Sequence, residues 1–278
     1  MFDAHSHLQD SRLSAVFDEV VQQAERAGVD GVCTCGTAPS DWEATAFLAR
    51  LPLPFTVVPA FGVHPWHVRS LPSDWLERLE GYLRRFPGAA VGEIGFDGVH
   101  DDLPFDEQED VFVNQVRLAV RLGRPVVTHG ARAWERLIET LKPYADALPG
   151  FVAHGFGGSA EQLDRVLAMG GHVSVSGSVC NPKAAKIRAA AHLVPEDRLL
   201  IETDSPDLFP QGGAAAAFDI QGKPLNQPAN LSRILLDVAA LRHVQPKQLA
   251  EITRANAHLI FRLICDRPKN LAKYTTHL

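Results

Sequence analysis

The sequence predicts an α/β protein of the (β/α)₈ TIM-barrel class, and three observations carry that prediction. Its 278 residues, 46% of them hydrophobic, suffice for one large core and come close to the roughly 250 residues of a single barrel domain. Short runs rich in Val, Ile and Ala alternate with longer segments whose apolar residues recur every three or four positions, which is the pattern of repeated βαβ units. Eight such runs occur, the number that closes a TIM barrel.

The first strand is Phe2 to His5. A helix follows, because Val16, Phe17, Val20, Val21, Ala24 and Ala27 form one apolar stripe that stops at Gly28, a residue suited to the left-handed backbone that ends helices. Val29 to Thr34 reads as a second, buried strand and Thr56 to Gly62 as a third. The fourth and fifth are Ala89 to Glu93 and Pro125 to His129, joined by a helix over Phe105 to Leu122. Trp134 to Leu141 crosses to a sixth strand at Phe151 to His154, Glu161 to Met169 crosses to a seventh at His172 to Ser176, and Leu199 to Glu202 is the eighth. These helices are long enough for right-handed crossovers between parallel strands. Beyond the eighth strand, Pro210 to Leu225 holds Gly212, Gly213, four consecutive alanines and Gly222, a composition that predicts a long loop over the strand ends, placed as a lid would be. Helical periodicity resumes at Leu231, Leu235 and Val238 and again from Leu249 to Leu263, and a weakly ordered tail is expected from about Pro268. One domain over residues 1–278 is the expectation.

A net charge of −6 and a pI near 6.0 exclude the strongly positive field that drives non-specific binding to nucleic acid, so any such substrate must be held locally. The amino terminus shows no basic region, apolar signal core or cleavage pattern, and apolar runs such as Val57 to Phe61 fall far short of the roughly 20 residues a membrane helix needs. A cytoplasmic protein with no membrane association and no stable protein partner is expected. Cys33, Cys35, Cys180 and Cys265 are too scattered for a disulfide framework. Cys33 and Cys35 share one face of the second strand, where burial as small core residues is the expectation and a soft-metal pair the alternative.

His5 and His7 stand two apart at the end of the first strand, so period-two geometry aims both imidazoles at the barrel mouth. Alone the triplet means little, since a single histidine is most often a hydrogen-bonded structural residue. Glu93, His129, His154 and Asp204 join them at the carboxyl ends of the fourth, fifth, sixth and eighth strands, the catalytic rim of a barrel. Carboxylates at buried strand ends are costly unless paired or bound to metal, and several converging with four histidines are poorly explained by packing. The set predicts a barrel of the metallo-dependent hydrolase type with two divalent ions, Zn²⁺ or Mn²⁺ from the histidine-rich ligands, or Mg²⁺ if the chemistry is phosphoryl transfer. Glu93 would bridge them, His5, His7 and Asp204 would complete one side, and His129 and His154 the other. Glu93 and Asp204 are the expected catalytic carboxylates, Asp204 as the group able to accept a proton from the attacking water.

The motifs Phe2-Asp3-Ala4-His5-Ser6-His7, Gly62-Val63-His64-Pro65, Gly92-Glu93-Ile94-Gly95-Phe96-Asp97, Thr128-His129, His154-Gly155-Phe156-Gly157-Gly158-Ser159 and Ile201-Glu202-Thr203-Asp204-Ser205-Pro206 follow one another in an order that resembles the TatD family of metal-dependent deoxyribonucleases. Asn226-x-Pro228 and Asn256 to Phe261 fit its closing motifs, so the resemblance spans nearly the whole chain. It implies a phosphodiesterase that removes nucleotides from an end of DNA or short nucleic acid, and a place for His64 at the site, as a substrate contact or as a structural histidine bonded near the third-strand turn. Trp66 and His67 are candidates to stack on or bond to a base, with mere cover of the barrel end as the alternative. Three positions depart from the family. The Arg usually two after the fifth-strand histidine is Ala131, with Arg132 one later. The aromatic and basic residues after the fourth-strand motif are Gly98, Val99 and His100. The Lys of the seventh-strand loop is Pro182, with Lys183 adjacent. All three concern phosphate contacts, and no ligand position is touched; Arg132 is a candidate substrate contact and, with Lys183, is placed to reach a phosphate if its loop shifts, with a solvated surface cation as the alternative. Hydrolysis of another ester, an amide or a phosphate monoester is the rival expectation, and a non-enzymatic metal-binding role a weaker third.

Overall fold

In a computed structural model, which describes residues 1–100 and 102–261, eight parallel strands form one sheet in chain order. They are β1 (Phe2–Ser6), β2 (Gly31–Cys35), β3 (Thr56–Phe61), β4 (Ala90–Asp97), β5 (Val126–Ala131), β6 (Phe151–Ala153), β7 (His172–Val175) and β8 (Leu199–Ile201). Around them lie α1 (Phe17–Arg26), α2 (Trp42–Leu48), α3 (Trp75–Arg85), α4 (Phe105–Leu122), α5 (Trp134–Leu141), α6 (Ala160–Ala168), α7 (Ala185–Leu193), α8 (Leu231–Arg242) and α9 (Pro246–Ile260). This is the (β/α)₈ barrel.

Local chemistry sets the helix ends. α4 stops at Gly123 in the left-handed region (φ 62°), and α6 opens on a capping box in which the Ser159 hydroxyl accepts from Gln162 N–H while the Gln162 side chain accepts from Ser159 N–H. β8 returns to β1 through backbone bonds just beyond its end: Asp204 N–H donates to His5 O (2.9 Å) and His7 N–H to Ser205 O (2.7 Å). The buried Asp3 carboxyl completes the seam by accepting from Thr203 N–H (2.8 Å).

The strands carry two apolar layers. Val32, Val91, Val126 and Ile201 face the helices, whereas Ala4, Cys33, Cys35, Val58, Ala60, Val127, Val152 and Leu200 form a second cluster with Ala257, Ile260 and Phe261 from the end of α9. Phe2 stacks on Phe261 with ring centroids 5.6 Å apart, which closes the amino-terminal end of the barrel. Val127, Val152 and Leu200 each lie two residues before a polar side chain, His129, His154 and Glu202. Strand periodicity therefore sets a polar layer directly above an apolar one.

Three expectations need correction. β4 does not end at Glu93 but continues to Asp97, and β5 to Ala131, so Glu93 is a mid-strand residue. Gly95 (φ 150°) permits this, because a Cβ there would lie 2.0 Å from the His129 carbonyl oxygen. The segment from Pro210 to Leu225 is not wholly irregular: β9 (Ala217–Phe218) and β10 (Pro224–Leu225) pair antiparallel within it. α9 ends at Ile260, and Leu263 and the tail from Pro268 lie outside the described residues. No helix among the described residues is long and apolar enough to cross a membrane.

Candidate active site

Four atoms meet at the barrel mouth. His5 Nε2 lies 3.2 Å from His7 Nε2, 3.3 Å from Glu93 Oε2 and 3.4 Å from Asp204 Oδ1, and His7 Nε2 lies 3.4 Å from each carboxylate oxygen. Five edges this nearly equal outline a tetrahedron whose centre lies about 2 Å from each corner, the bond length of a zinc-like cation to imidazole nitrogen or carboxylate oxygen. Beside it the other Glu93 oxygen, Oε1, lies 2.8 Å from His129 Nδ1 and 2.7 Å from His154 Nε2, with the two ring nitrogens 3.3 Å apart. Both groups consist of nitrogen and oxygen donors suited to divalent cations. The structure thus brings together all six residues that strand-end positions suggested.

Each imidazole turns one nitrogen to the cluster and gives the other to the protein. His7 Nδ1 lies 2.7 Å from Cys35 O, and His5 Nδ1 lies 3.4 Å from Cys35 Sγ. His129 Nε2 meets Asp97 Oδ2 at 3.1 Å, and His154 Nδ1 meets Glu202 Oε1 at 3.3 Å. For His7, His129 and His154 an oxygen acceptor on the far side holds the proton there and leaves the near nitrogen with its lone pair toward the cluster. Cys35 is therefore more than a packing residue, while Cys33 remains one, fully buried beside it.

The two outer carboxylates are themselves held. Asp97 accepts from the Trp66 indole N–H (2.9 Å) and Val99 N–H (2.7 Å), and Glu202 from Gly155 N–H (2.7 Å) and the Ser174 hydroxyl. Sequence reasoning passed over both as functional residues. Their signal was available, since a buried acid inside an otherwise apolar strand calls for a partner, but the partners sit on other strands.

Electrostatics follow from crowding. Burial opposes the ionisation of Glu93, yet the imidazoles of His154, His5 and His64 override it and hold its carboxyl well below the usual range. Asp204 behaves alike through His5 and His7. Burial disfavours the charged forms of His154 and His7 too, but Glu93, with Glu202 for His154 and Asp204 for His7, lifts both well above the ordinary value. His64 goes the other way: burial and the neighbouring His129 push it well down.

The expected substrate contacts divide. His64 is buried at the cluster, its Nε2 3.7 Å from Glu93 Oε1 and its Nδ1 accepting from Trp66 N–H. Trp66 stays half exposed, its indole anchored on Asp97 and its ring edge-on to His100 at 5.2 Å. His67 lies in the same 3-10 turn and donates its backbone N–H to His64 O. Arg132 is exposed, in the left-handed region (φ 50°), and lines a cleft of about 580 Å³ with His129, His154 and Asp204. Lys186, which sequence reasoning missed, lines the same cleft, whereas Lys183 borders a neighbouring cavity.

Barrel, strand-end acids and imidazole cluster together define a metallo-dependent hydrolase fold. A family model described as TatD related DNase matches residues 2–262. The chain is 34% identical over 272 residues to the 3'-5' ssDNA/RNA exonuclease TatD of Yersinia pseudotuberculosis serotype O:3 (strain YPIII), covering 95% of this chain and 100% of that protein. Among solved structures, a TatD homologue from Escherichia coli K12 superposes with a TM-score of 0.86 at 31% identity, covering 95% of this chain and 98% of the other. A TatD-family hydrolase from Entamoeba histolytica shares the fold, with a TM-score of 0.82 at 20% identity over 94% and 97% of the two chains. The chain belongs to the TatD-related DNase family, enzymes that hydrolyse ester bonds.

Proposed function

We propose that this chain is a divalent-metal-dependent phosphodiesterase that trims the ends of single-stranded nucleic acid. His5, His7, Glu93 and Asp204 would hold one ion, and Glu93, His129 and His154 a second. The observation that carries the reading is the two-sided anchoring of the imidazoles: each far nitrogen is tied to protein, while the near nitrogens converge on the two oxygens of Glu93. The names of the relatives supply the substrate class, 3'-5' exonucleolysis of single-stranded DNA or RNA.

Bound at these donors, divalent cations supply Lewis acidity toward phosphate oxygens and acidify water near neutral pH. The protein's own groups do the rest. Asp204 is ionised and partly open to the cleft, so its carboxylate accepts the proton of the attacking water. Glu93 supplies charge to both halves of the site. Arg132 and Lys186 neutralise phosphate oxygens from two sides of the cleft, in place of the family cations absent at Ala131 and Pro182. Trp66, its indole fixed by Asp97, offers an exposed ring face on which a base stacks, with His64 and His67 beside it. The donor set admits Mn²⁺, Zn²⁺ or Mg²⁺, and we assign the enzyme to the cytoplasm.

The test is turnover of single-stranded DNA, RNA, duplex DNA, carboxylic esters and amides by the protein loaded with Mn²⁺, with and without chelator. Chelator-sensitive release of nucleotides from single strands supports the reading. Metal-dependent ester or amide hydrolysis with no cleavage of nucleic acid overturns it.

A further inference from the structure

Beside the metal cleft lies a cavity of about 780 Å³ between the segments that follow β7 and β8, bordered by Ser178, Asn181, Lys183, Ile187, Leu208 and Phe209. The two chambers adjoin. Leu208 lines both, and a Cβ placed on Gly157 in the cleft would lie 4.0 Å from Ile187 Cγ1 of the side cavity. We propose that this side cavity seats one unstacked base of the substrate strand, and that Leu208 is the wedge that separates that base from its neighbour. The inference rests on the nuclease reading above.

Leu208 carries the argument. Its backbone adopts φ 44°, a left-handed conformation that a bulky residue rarely takes, yet the residue is 39% exposed. Core packing therefore does not account for the strain. Neighbours over-determine the backbone: a Cβ on Gly177 would stand 2.3 Å from Leu208 O, and the Asn226 amide donates to the same oxygen. A strained residue held by its main chain, with an apolar side chain presented between two chambers, is the arrangement that ligand clamps use. Apolar wedges inserted between bases unstack them in the same manner.

The cavity offers what a splayed nucleoside needs. Ile187, Leu208 and Phe209 give apolar walls for a ring face, and the volume lies within the range of small-molecule sites. Asn181 Oδ1 is already used by Lys183 N–H (2.9 Å), which leaves the Asn181 amide protons for acceptors on a base edge. Lys183 at the rim meets the strand's charge, which gives this displaced lysine a role that reach into the metal cleft does not. A base can enter only after leaving a stack, so a paired end is disfavoured and a single strand accepted.

The experiment measures KM and kcat of the Mn²⁺-loaded enzyme on a short single-stranded DNA and on the same strand carrying one abasic residue at each position in turn. In wild type, one position near the cut end should raise KM about ten-fold or more when its base is missing. In Leu208→Gly the intact strand should itself bind about ten-fold worse, and the abasic penalty should shrink toward one, since both changes remove the same interaction. Glycine suits the left-handed backbone, so this variant is expected to fold. Asn181→Ala, at an exposed position, should reduce the penalty in the same direction. A wild type that cuts the strand with no position-specific penalty, or a penalty that survives in both variants, overturns the cavity assignment alone. A wild type that cuts no nucleic acid overturns the nuclease reading beneath it.

Discussion

At the scale of single residues, the cluster divides into groups that face inward and groups that hold them. Glu93 presents one oxygen to each half of the site, so Glu93→Ala should remove both halves at once, and Asp204→Ala the proton acceptor of one. Turnover on single-stranded DNA should fall at least about a thousand-fold in each, equivalent to about 4 kcal/mol of transition-state stabilisation. Glu202→Gln keeps the shape but weakens the charge on His154 Nδ1, so metal affinity or activity should drop about 10- to 100-fold while the thermal midpoint moves little. Cys33→Ser should stay within a few-fold of wild type, because Cys33 is expected only to pack. Kinetics and metal titration on the purified variants check all four, and near-normal turnover by a folded Glu93→Ala protein would refute the bridging role. The six inward residues were legible in the sequence because each is polar within or just beyond an apolar run. The pairing of their holders was not, because Asp97 to His129 and Glu202 to His154 are relations between strands that spacing along the chain does not encode, even though each acid by itself called for a partner.

At the scale of elements, the strands were legible from apolar runs, and errors arose where a glycine changed the rules. β4 reads as ending at Glu93 because Gly95 interrupts the apolar pattern, yet that glycine is what lets β4 lie against the His129 backbone and continue. The small pairing of β9 with β10 leaves almost no trace because each strand is two residues long. β7 carries a different consequence. His172 at its start is 3% exposed, and both ring nitrogens are without a hydrogen-bond partner among the described residues. Burial, helped by nearby Arg198, pushes its pKa from 6.5 down to about 4. The folded protein thus needs the neutral ring, so the stability this group contributes is complete above pH 6.5 and is lost as pH falls through 4, by up to about 3 kcal/mol. Thermal midpoints of wild type should therefore drop between pH 6.5 and 4 more steeply than those of His172→Phe. Equal slopes would show that the ring finds a partner on protonation. Asp3 acts with the opposite sign: burial raises its carboxyl to about 8, so it remains protonated in the β1–β8 seam while the unfolded chain ionises, and stability declines as pH rises toward 8. Asp3→Asn should flatten that limb, which melts at pH 5 to 8.5 would reveal.

At the scale of the whole molecule, the net charge of −6 and the family's displaced cations bear on how the substrate is held. The barrel places its acids and imidazoles at one end, and much of the surface charge elsewhere is internally paired, as in the bridges of Arg84 and Arg121 to Glu80, Arg136 to Asp106 and Glu109, and Arg165 to Glu135. Such pairs leave little net positive field to gather a polyanion from a distance. Local contacts must then supply the attraction, and the cleft has two side chains for it, Arg132 and Lys186. Each protein cation that neutralises a backbone phosphate adds about 0.7 to the logarithmic salt slope on single strands. The slope for a single-stranded oligonucleotide should therefore be shallow, about 1 to 2, and should not grow once the strand is longer than the cleft. Arg132→Ala and Lys186→Ala should each reduce it by a fraction of a unit and raise KM several-fold, with kcat less affected if the bound cations dominate at the scissile group. The measurement is kcat/KM against salt from about 50 to 200 mM on a short and a long single strand, for wild type and both variants. A slope of five or more, or one that rises with strand length, would mean that a wider basic path holds the strand and that the cleft cations are not its main grip.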